Sequence, residues 1–448
     1  MLRPLSCLLL AALLQFTASC AATPEFPQST TTAPTLPLLH EPPFNGSNLT
    51  LRLPGEAGNA FLAAGGRFLI IHMKNLQSVA IVDLCDDRVA KILDISAAGT
   101  KDVHIAAGLN KLFVSSAENN FLARYSLDTF EKELTALAPE DGIQWMAMGF
   151  ASPGPLFVAS GKKSLMLNPL TLKPEPLQWN HWGGGNFNAP NMRVSGDGRA
   201  VVAWDGGWAG IESVIIQNNR ILDHHEGGYI MNASLRPTFD GALIFGGDNS
   251  AFRNDVTGAD LQLDGYPLPA AAPQYFLTLK GPGGKNAELK IYLVGNRSAV
   301  WTLKGFEELT ESSLPLEERL FFIPQANLLA ILGPGNDRLT LRRLNIIDSL
   351  NDAGIDYLLV TSNPLTLAEP GKTYRYQLQI ASKRGNPACT LATGPQGMTI
   401  SREGLLTWHV PPKNPPADPR IIISIHDASG QEIFHTFTLH LQSPPTSR

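Results

Sequence analysis

The stretch GLNKLFVSSAENNFLARYSL, residues 108–127, decides the fold class of this 448-residue chain. A turn at Gly108, Leu109 and Asn110 leads into two short β-rich runs, KLFVSS and FLARYSL. Runs of this length, rich in β-branched and aromatic residues and bounded by turn residues, are typical of strands joined by hairpins. The stretch is therefore predicted to form two neighbouring antiparallel strands.

Paired runs of the same kind recur before and after this stretch, at intervals of about forty residues. They are FLIIH with VAIVDL, LFVAS with SLMLN, AVVAW with ESVIIQ, ALIF with AFRND, LKIYLVG with AVWTL, and LLAIL with LTLRRL. A further apolar run precedes each pair, with predicted opening strands near Ala60, Val103, Trp145, Asn191, Ile230, Pro273 and Arg319. This is the period of four-stranded propeller blades, and no helical periodicity competes with it. The sequence predicts an all-β fold whose main part is a seven-bladed β-propeller over residues 44–347.

The last predicted blade lacks an outer strand, because the composition changes directly after LTLRRLNII. The strand-like run Leu49–Leu53 stands upstream of the first full blade and has no partner in its own repeat. We expect it to complete the last blade. Closure of this kind joins both ends of the ring and removes an exposed strand edge.

The C-terminal part of the chain has a different pattern. Residues 348–356 are predicted to form a short acidic linker, and residues 357–443 a small β-sandwich with the runs YLLVTS, TYRYQLQIA, LLTWHV, RIIISIHD and FHTFTLHLQ. The segments GPQGMTIS (394–401) and GLLTW (404–408) resemble the signature of the immunoglobulin-like, dystroglycan-type cadherin-like module of bacterial proteins. That resemblance implies an Ig/cadherin-like sandwich outside the cytoplasm. The propeller resembles the WD-repeat or YVTN-type class in architecture.

The N-terminus reads as a targeting segment. Residues 1–20 combine Arg3, the apolar run Leu8–Phe16 and the small residues before Cys20, as in a secretory signal peptide. Thr17-Ala18-Ser19-Cys20 resembles the lipobox of bacterial lipoproteins, which implies lipidation of Cys20 and an outer-membrane or cell-surface location. Ordinary cleavage, giving a periplasmic or secreted protein, stays open. Residues 21–43 are rich in Pro and Thr and are predicted to be an extended tether.

Charge and motif content exclude several functions. The net charge is −5 with no basic run, which argues against a nucleic-acid partner. The sequence contains no GxSxG, HExxH or P-loop motif, so no nucleophile–base pair is identified and a non-catalytic role is favoured. No cofactor is expected.

Four unusual loops are predicted to share one face of the propeller. In a blade with strands A to D, the D–A and B–C loops open on the same face. WNHWGGGNFN (179–188) and residues 223–228 are predicted as D–A loops, and residues 204–208 and 246–250 as B–C loops. Aromatic side chains stack on sugar rings or peptide side chains, and polar ones fix orientation. The candidate ligand-binding residues are Trp179, His181, Trp182, Asn186, Phe187, Asp205, Trp208, His225 and Asp248.

Each of these features also has a structural interpretation. Trp179 and Trp182 can plug the gap between two blades. His224 and His225 suggest a transition metal, but adjacent residues of a strand point to opposite faces. Calcium is a candidate ligand of the acidic linker, whose oxygen-bearing side chains suit a hard cation, although a solvated turn is the favoured explanation of them. The linker residues are Asp348, Asn351, Asp352 and Asp356.

Three functional hypotheses follow from this arrangement. The favoured one is a lipid-anchored binding protein whose loop face recognises a cell-envelope polysaccharide or protein. The second is a scaffold for envelope assembly, in which the same face docks a protein. The third is a propeller enzyme that acts on a polysaccharide.

Overall fold

The computed structural model describes residues 39–161, 163–175, 191–204, 210–217, 220–227, 234–261, 263–281, 284–364, 366–416 and 418–441. In this part of the chain nearly all regular structure is β-strand, arranged as seven successive sheets followed by a smaller group of strands. The fold is the predicted seven-bladed β-propeller followed by a small β-sandwich.

Strand β1 (Asn48–Arg52) precedes the first blade. Blades one to three are four-stranded antiparallel sheets whose strands follow chain order. The strands of the first blade are β2 (Asn59–Ala63), β3 (Phe68–Met73), β4 (Ser78–Asp83) and β5 (Arg88–Asp94). Those of the second are β6 (Val103–Ala107), β7 (Lys111–Ser116), β8 (Phe121–Ser126) and β9 (Lys132–Leu137). Those of the third are β10 (Trp145–Ala147), β11 (Leu156–Ser160), β12 (Lys163–Leu167) and β13 (Pro174–Glu175).

A short polar residue closes the outer hairpin of each of these three blades. It stands at the end of the third strand or directly after it, and its side-chain oxygen accepts hydrogen bonds from two backbone N–H groups of the following turn. These residues are Asp83, Ser126 and Asn168, with donor–acceptor distances between 2.9 and 3.3 Å. Side chains of this type favour such turns because they replace a backbone acceptor. The repeat is thus preserved in turn chemistry although its letters differ.

Blade four contains β14 (Asn191–Val194), β15 (Ala200–Trp204), β16 (Ile211–Gln217) and β17 (Arg220–Gly227). Blade five is three-stranded in the described residues, with β18 (Arg236–Pro237), β19 (Leu243–Phe245) and β20 (Ala251–Arg253). Blade six contains β21 (Tyr266–Pro269), β22 (Tyr275–Lys280), β23 (Gly284–Leu293) and β24 (Trp301–Phe306).

The predicted openings of blades five and six are wrong. The first strand of blade five begins at Arg236, and Ile230 lies outside the described residues. The first strand of blade six is YPLP, residues 266–269, rather than a run near Pro273, so LKIYLVG belongs to the third strand and not the second. Proline argues against a strand in sequence analysis, but the innermost strand of a blade pairs on one side only and tolerates it.

The ring closes as predicted. Blade seven contains β25 (Leu320–Ile323), β26 (Leu328–Leu332) and β27 (Arg338–Arg343), and β1 adds to it as the outermost strand, with Leu51 opposite Leu339. The Arg343 guanidinium also donates to the carbonyls of Pro42 at 2.7 Å and Phe44 at 2.5 Å. These bonds fix the chain that leads into β1.

The C-terminal sandwich has its own core. Its strands are β28 (Leu358–Val360), β29 (Leu367–Ala368), β30 (Thr373–Gln377), β31 (Ile380–Ser382), β32 (Ala388–Thr393), β33 (Thr399–Ile400), β34 (Leu405–His409), β35 (Arg420–His426), β36 (Glu432–Thr438) and β37 (His440–Leu441). Trp408, in the middle of this core, is buried and donates its indole N–H to Gln396 O at 3.1 Å. The segments GPQGMTIS and GLLTW, which carry the resemblance to the cadherin-like module, therefore pack together in one hairpin region.

The segment predicted as an acidic linker lies largely in a helix, α1 (Ile346–Asp352). Asn345 caps this helix, since its side-chain oxygen accepts from Asp348 N at 3.2 Å. Ile346 and Leu350, one turn apart, are buried in a single cluster with propeller residues and with Tyr357 of the sandwich. The connection therefore packs the sandwich against the propeller and does more than span the two.

Helical structure is otherwise short in the described part of the chain, and none of its helices is long and apolar enough to cross a membrane. The 3₁₀ helices there are Ala64–Gly66, Lys74–Leu76, Ser96–Ala98, Glu307–Leu309, Leu316–Glu318 and Pro324–Ala326.

Candidate functional site

A cavity of about 500 Å³ occupies the centre of the ring. The first strand of every blade contributes to its wall, and so does the 3₁₀ helix that precedes blade seven. One wall residue from each blade, in blade order, is Asn59, Ile105, Trp145, Arg193, Arg236, Leu268 and Phe321.

The two ends of this channel differ in chemistry. Polar and charged side chains gather at the end where the first strands begin, which we call the channel mouth; its residues are Asn59, Trp145, Arg193, Arg236, Glu317 and Glu318. The opposite end is apolar, with the rings of Phe150 and Phe239 in edge contact at 5.6 Å. Gly65 N of blade one donates to Phe150 O of blade three at 2.9 Å. Because these blades are not neighbours in the ring, this hydrogen bond shows that the channel is narrow at its apolar end.

Arg236 and its neighbours form a buried brace. The side chain is 3% exposed, and its Nε donates to Pro267 O at 3.1 Å. Nη1 donates to Ser234 Oγ at 2.7 Å and to the Tyr266 hydroxyl, and the guanidinium carbon lies 4.1 Å from the centre of the Tyr266 ring. Nη2 is buried without a hydrogen-bond partner among the described residues. Burial lowers the pKa of Arg236, and a missing partner for a buried donor is costly.

Glu317 completes this brace. Its carboxylate accepts from Ser234 Oγ at 2.9 Å and from the Tyr266 hydroxyl at 2.8 Å, and it lies 3.8 Å from Arg236 Nη1. Burial pushes the pKa of Glu317 upward, but the charge of Arg236 and these hydrogen bonds outweigh it, so the pKa lies below its usual value. Glu317 is therefore an ionised structural group that joins blades five, six and seven.

Glu318, the next residue, is in the opposite situation. Burial raises the pKa of Glu318 to about 6, and the charge of Glu317 adds to the rise. Arg193, Lys74 and a backbone N–H of Ala60 counteract it only in part. The Glu318 carboxylate thus faces the channel in a partly desolvated state without an ion pair among the described residues.

Arg193 lines the side of the channel mouth that belongs to blade four. Its guanidinium carbon lies 5.6 Å from the centre of the Trp204 ring, and Nη1 donates to Met192 O at 3.0 Å. No ion pair to a carboxylate is present among the described residues. Stacking on an indole fixes the plane of a guanidinium while leaving its outer N–H groups free to bind.

On blade one, the neutral side chain of Asn59 lines the channel mouth. Asn59 stands opposite His72 in the first blade, and its buried Oδ1 has no partner in the described residues. Burial lowers the pKa of His72 to about 4, with the nearby charge of Lys74 acting in the same direction. Burial also lowers the pKa of His104, so neither imidazole carries charge at neutral pH.

Most of the candidate binding residues predicted from the sequence lie outside the described residues. Those in residues 176–190 are Trp179, His181, Trp182, Asn186 and Phe187, and those in residues 205–209 are Asp205 and Trp208. The flanking strands agree with the predicted loop types, because the first segment joins β13 to β14 and the second joins β15 to β16. The prediction for these side chains stays a prediction, as it does for Cys20.

Two candidate binding residues, His225 and Asp248, lie within the described residues, and their predicted loop positions have different outcomes. Residues 223–227 belong to the outermost strand of blade four and not to a D–A loop, so that assignment for His225 is wrong. His225 Nε2 lies 2.9 Å from Asp223 Oδ2 at the outer rim. A polar outer strand lacks the apolar run on which the prediction depends. Asp248 does lie in the B–C turn of blade five, and its charge acts on Arg236.

The predicted calcium ligands are divided among other roles. Asp348 lies in the first turn of α1, and Asn351 accepts a hydrogen bond from the Tyr357 hydroxyl at 3.2 Å. Asp356 forms an ion pair with Arg384 at 2.5 Å, and Asp352 is exposed at the end of the helix. Within the described part of the chain, no group of three His, Cys, Asp or Glu side chains is arranged to hold a metal ion. Calcium binding here is untested.

The channel-mouth residues were not among the candidate site residues predicted from the sequence. A signal for them exists, because Arg193 and Arg236 stand in the short first strands NMRV and RP, and Glu317-Glu318 lies one residue before the apolar run LFFI. A charged side chain that is buried toward the centre of the ring destabilises the fold unless it has a partner or binds a ligand.

No protein-family model matches the chain, and no curated protein matches it. Among solved structures, the β-propeller domain of Cps50 (Swd1) from Myceliophteria thermophila is 14% identical, with a TM-score of 0.44, covering 67% of this chain and 99% of that one. Hydrazine synthase from Kuenenia stuttgartiensis is 15% identical, with a TM-score of 0.44, covering 68% and 99%. These two resemblances carry no information on function. The class is that of a seven-bladed β-propeller with a C-terminal β-sandwich.

Proposed function

We propose that this chain is an extracytoplasmic binding protein, anchored through lipid on Cys20, whose propeller binds a cell-envelope polysaccharide or protein at the channel mouth. The observation that carries the proposal is the set of uncommitted polar groups around one cavity. Among the described residues, neither Arg193 nor Glu318 has an ion-pair partner, and the buried Asn59 Oδ1 has no hydrogen-bond partner. A concave site with a few convergent polar groups is the usual form of a ligand site.

The aromatic loops are predicted to lie at the same end of the ring as the channel mouth. Segment 176–190 leads into β14, the strand of Arg193, and segment 205–209 follows β15, which pairs with β14. On this proposal, Trp182 and Trp208 extend the binding surface outward from the mouth. A long polymer would then contact the loops while one unit of it enters the channel.

The N-terminal chain fits an anchored protein. Residues 39–47 run directly into β1, which closes the ring, and Arg343 holds the carbonyls of Pro42 and Phe44. A tether from Cys20 would therefore pull on the outermost strand of blade seven. The cadherin-like resemblance of the sandwich is consistent with a location outside the cytoplasm.

A glycan and cell-wall-fragment array tests the proposal. The full chain is applied with and without calcium, beside the variants Trp182→Ala, Trp208→Ala and Arg193→Gln. Binding that all three changes weaken, with unchanged melting temperature, is the expected result. Retention of an envelope protein in place of a glycan makes the mouth a docking platform for protein. The proposal fails if no glycan or envelope protein is retained.

A polysaccharide-active enzyme is the second candidate, favoured by one observation. Glu317 and Glu318 are adjacent, yet the pKa of the first is lowered and that of the second is raised to about 6. Two carboxyl groups with separated pKa values are the arrangement that acid–base chemistry uses. Turnover of a bound glycan that is lost in Glu318→Gln, with binding retained, would select this candidate.

A further inference from the structure

The donors of the channel mouth are positioned for an anion. Arg193 lies half-buried over Trp204, and within the described part of the chain its guanidinium donates to a carbonyl of its own strand, Met192 O. Arg236 on the next blade is nine-tenths buried or more, and its Nη2 has no partner among the described residues. The two guanidinium groups are close enough for the charge of Arg193 to lower the pKa of Arg236. A planar carboxylate is the group that a guanidinium fork binds best.

The acceptor atoms of the channel mouth require hydrogen-bond donors from a ligand. Among the described residues, the buried Oδ1 of Asn59 has no donor, and the Glu318 carboxylate, which lies near the Ala60 backbone N–H, has no ion pair. Both belong to the side of the mouth formed by blade one and the 3₁₀ helix Leu316–Glu318. Neutral hydroxyl groups satisfy such acceptors without adding charge next to Arg193 and Lys74.

A flat apolar surface lies between these two groups. Trp145 opens the first strand of blade three, is half-buried and lines the channel. Below it the wall is apolar down to Phe150. The flat face of a sugar ring stacks on an indole and places its hydroxyls at the edges.

We propose that the channel mouth binds a uronic acid residue of an acidic polysaccharide. The carboxylate lies on Arg193 with help from Arg236 Nη2, and the ring hydroxyls donate to Asn59 and Glu318. This inference rests on the proposed binding function and specifies its ligand. An acidic peptide provides a carboxylate as well, but it has no set of hydroxyls for the two acceptors.

Arg193 is the residue to change, because Arg236 belongs to the brace and its loss endangers the fold. Binding of a trigalacturonate to the purified full chain is measured by calorimetry, with neutral galactotriose and a hexaglutamate peptide as comparison probes. Arg193→Gln is expected to weaken trigalacturonate binding at least about tenfold, since hydrogen bonds to charged groups are among the stronger ones. Arg342→Gln is the matched control, because Arg342 stacks on Phe306 at 4.9 Å in the outer part of blade seven.

The possible results of these measurements distinguish the uronate assignment from the proposed binding function. Trigalacturonate that binds at least tenfold more tightly than both comparison probes, with only Arg193→Gln reducing it, supports the inference. Equal binding of galactotriose, or preferential binding of hexaglutamate, overturns the uronate assignment while leaving a binding function. If none of the three probes binds and the glycan and cell-wall array is also empty, the proposed function itself fails.

Discussion

The Tyr266 hydroxyl donates to the Glu317 carboxylate at 2.8 Å, and this bond connects the first strand of blade six to the 3₁₀ helix that leads into blade seven. The same hydroxyl accepts from Arg236 of blade five. One phenol therefore joins three blades at the channel mouth. The bond stabilises the ring and holds the mouth in shape, so its energetic contribution is measurable apart from any ligand.

Tyr266→Phe is expected to lower the free energy of unfolding by about 1–3 kcal/mol, because the buried Glu317 and Arg236 each lose a partner. Urea denaturation at neutral pH measures this change. Tyr374→Phe is the matched control. The Tyr374 hydroxyl is buried without a partner among the described residues, so its removal should leave stability unchanged or raise it. Equal losses in both variants would contradict the role of the brace.

Strand β1 should be required for a soluble ring. Leu51 is partly buried against the blade-seven core, while Arg52 on the same strand is exposed. Leu51→Asp places a charge at that core and is expected to cost about 2 kcal/mol or more, with release of the β27 edge. Thermal unfolding and light scattering should show a lower melting temperature and self-association. Arg52→Asp should show neither, and aggregation of both variants alike would argue against edge exposure.

The repeat, its period and the closure by β1 were all predictable from the sequence. Alternating apolar runs and turn residues are local signals, and Leu49–Leu53 was identifiable because it had no partner in its own repeat. Blades five and six were misassigned where the signal is weak. Their first strands are RP and YPLP, and proline is tolerated there only because of a ring geometry that local patterns do not contain.

The channel mouth was not predictable in the same way. Its residues come from four blades and from the 3₁₀ helix before blade seven, so they meet only after the ring closes. The separation of the Glu317 and Glu318 pKa values depends on burial and on partners distant in sequence, such as Arg193 and Arg236. His225 was misassigned because a polar outer strand resembles a loop in its composition. Asp248 was placed correctly because its turn stands between two clear apolar runs.

The sandwich should lose stability in mild acid. His435 is buried, its Nε2 lies 3.2 Å from the Tyr376 hydroxyl, and burial lowers its pKa to about 4 from an ordinary 6.5. The unfolded chain therefore takes up this proton first, so stability is full above pH 6.5 and falls as the pH drops from about 6.5 to about 4. The loss reaches about 3 kcal/mol at its limit, and His72 in the propeller adds a loss of the same sign.

Urea denaturation at several pH values, comparing the chain with His435→Gln, measures the contribution of this imidazole. The variant is less stable at neutral pH but should show a shallower decline between pH 6.5 and 4. His426→Gln, at an exposed position in the same domain, should keep the original slope. An unchanged slope in His435→Gln would mean that the histidine does not set the acid sensitivity of the sandwich.

Helix α1 should make the propeller and the sandwich unfold together. Leu350 is fully buried in the cluster that also holds Tyr357 and Leu359 of the sandwich and Leu329 of the propeller. Leu350→Ala is expected to cost about 2–5 kcal/mol, because it leaves a cavity at this contact. Calorimetry should then resolve two transitions in place of one, since the sandwich keeps its own core around Trp408. Asp352→Ala, on an exposed position of the same helix, should leave a single transition. Two transitions already present in the unchanged chain would show that the shared cluster does not couple the domains.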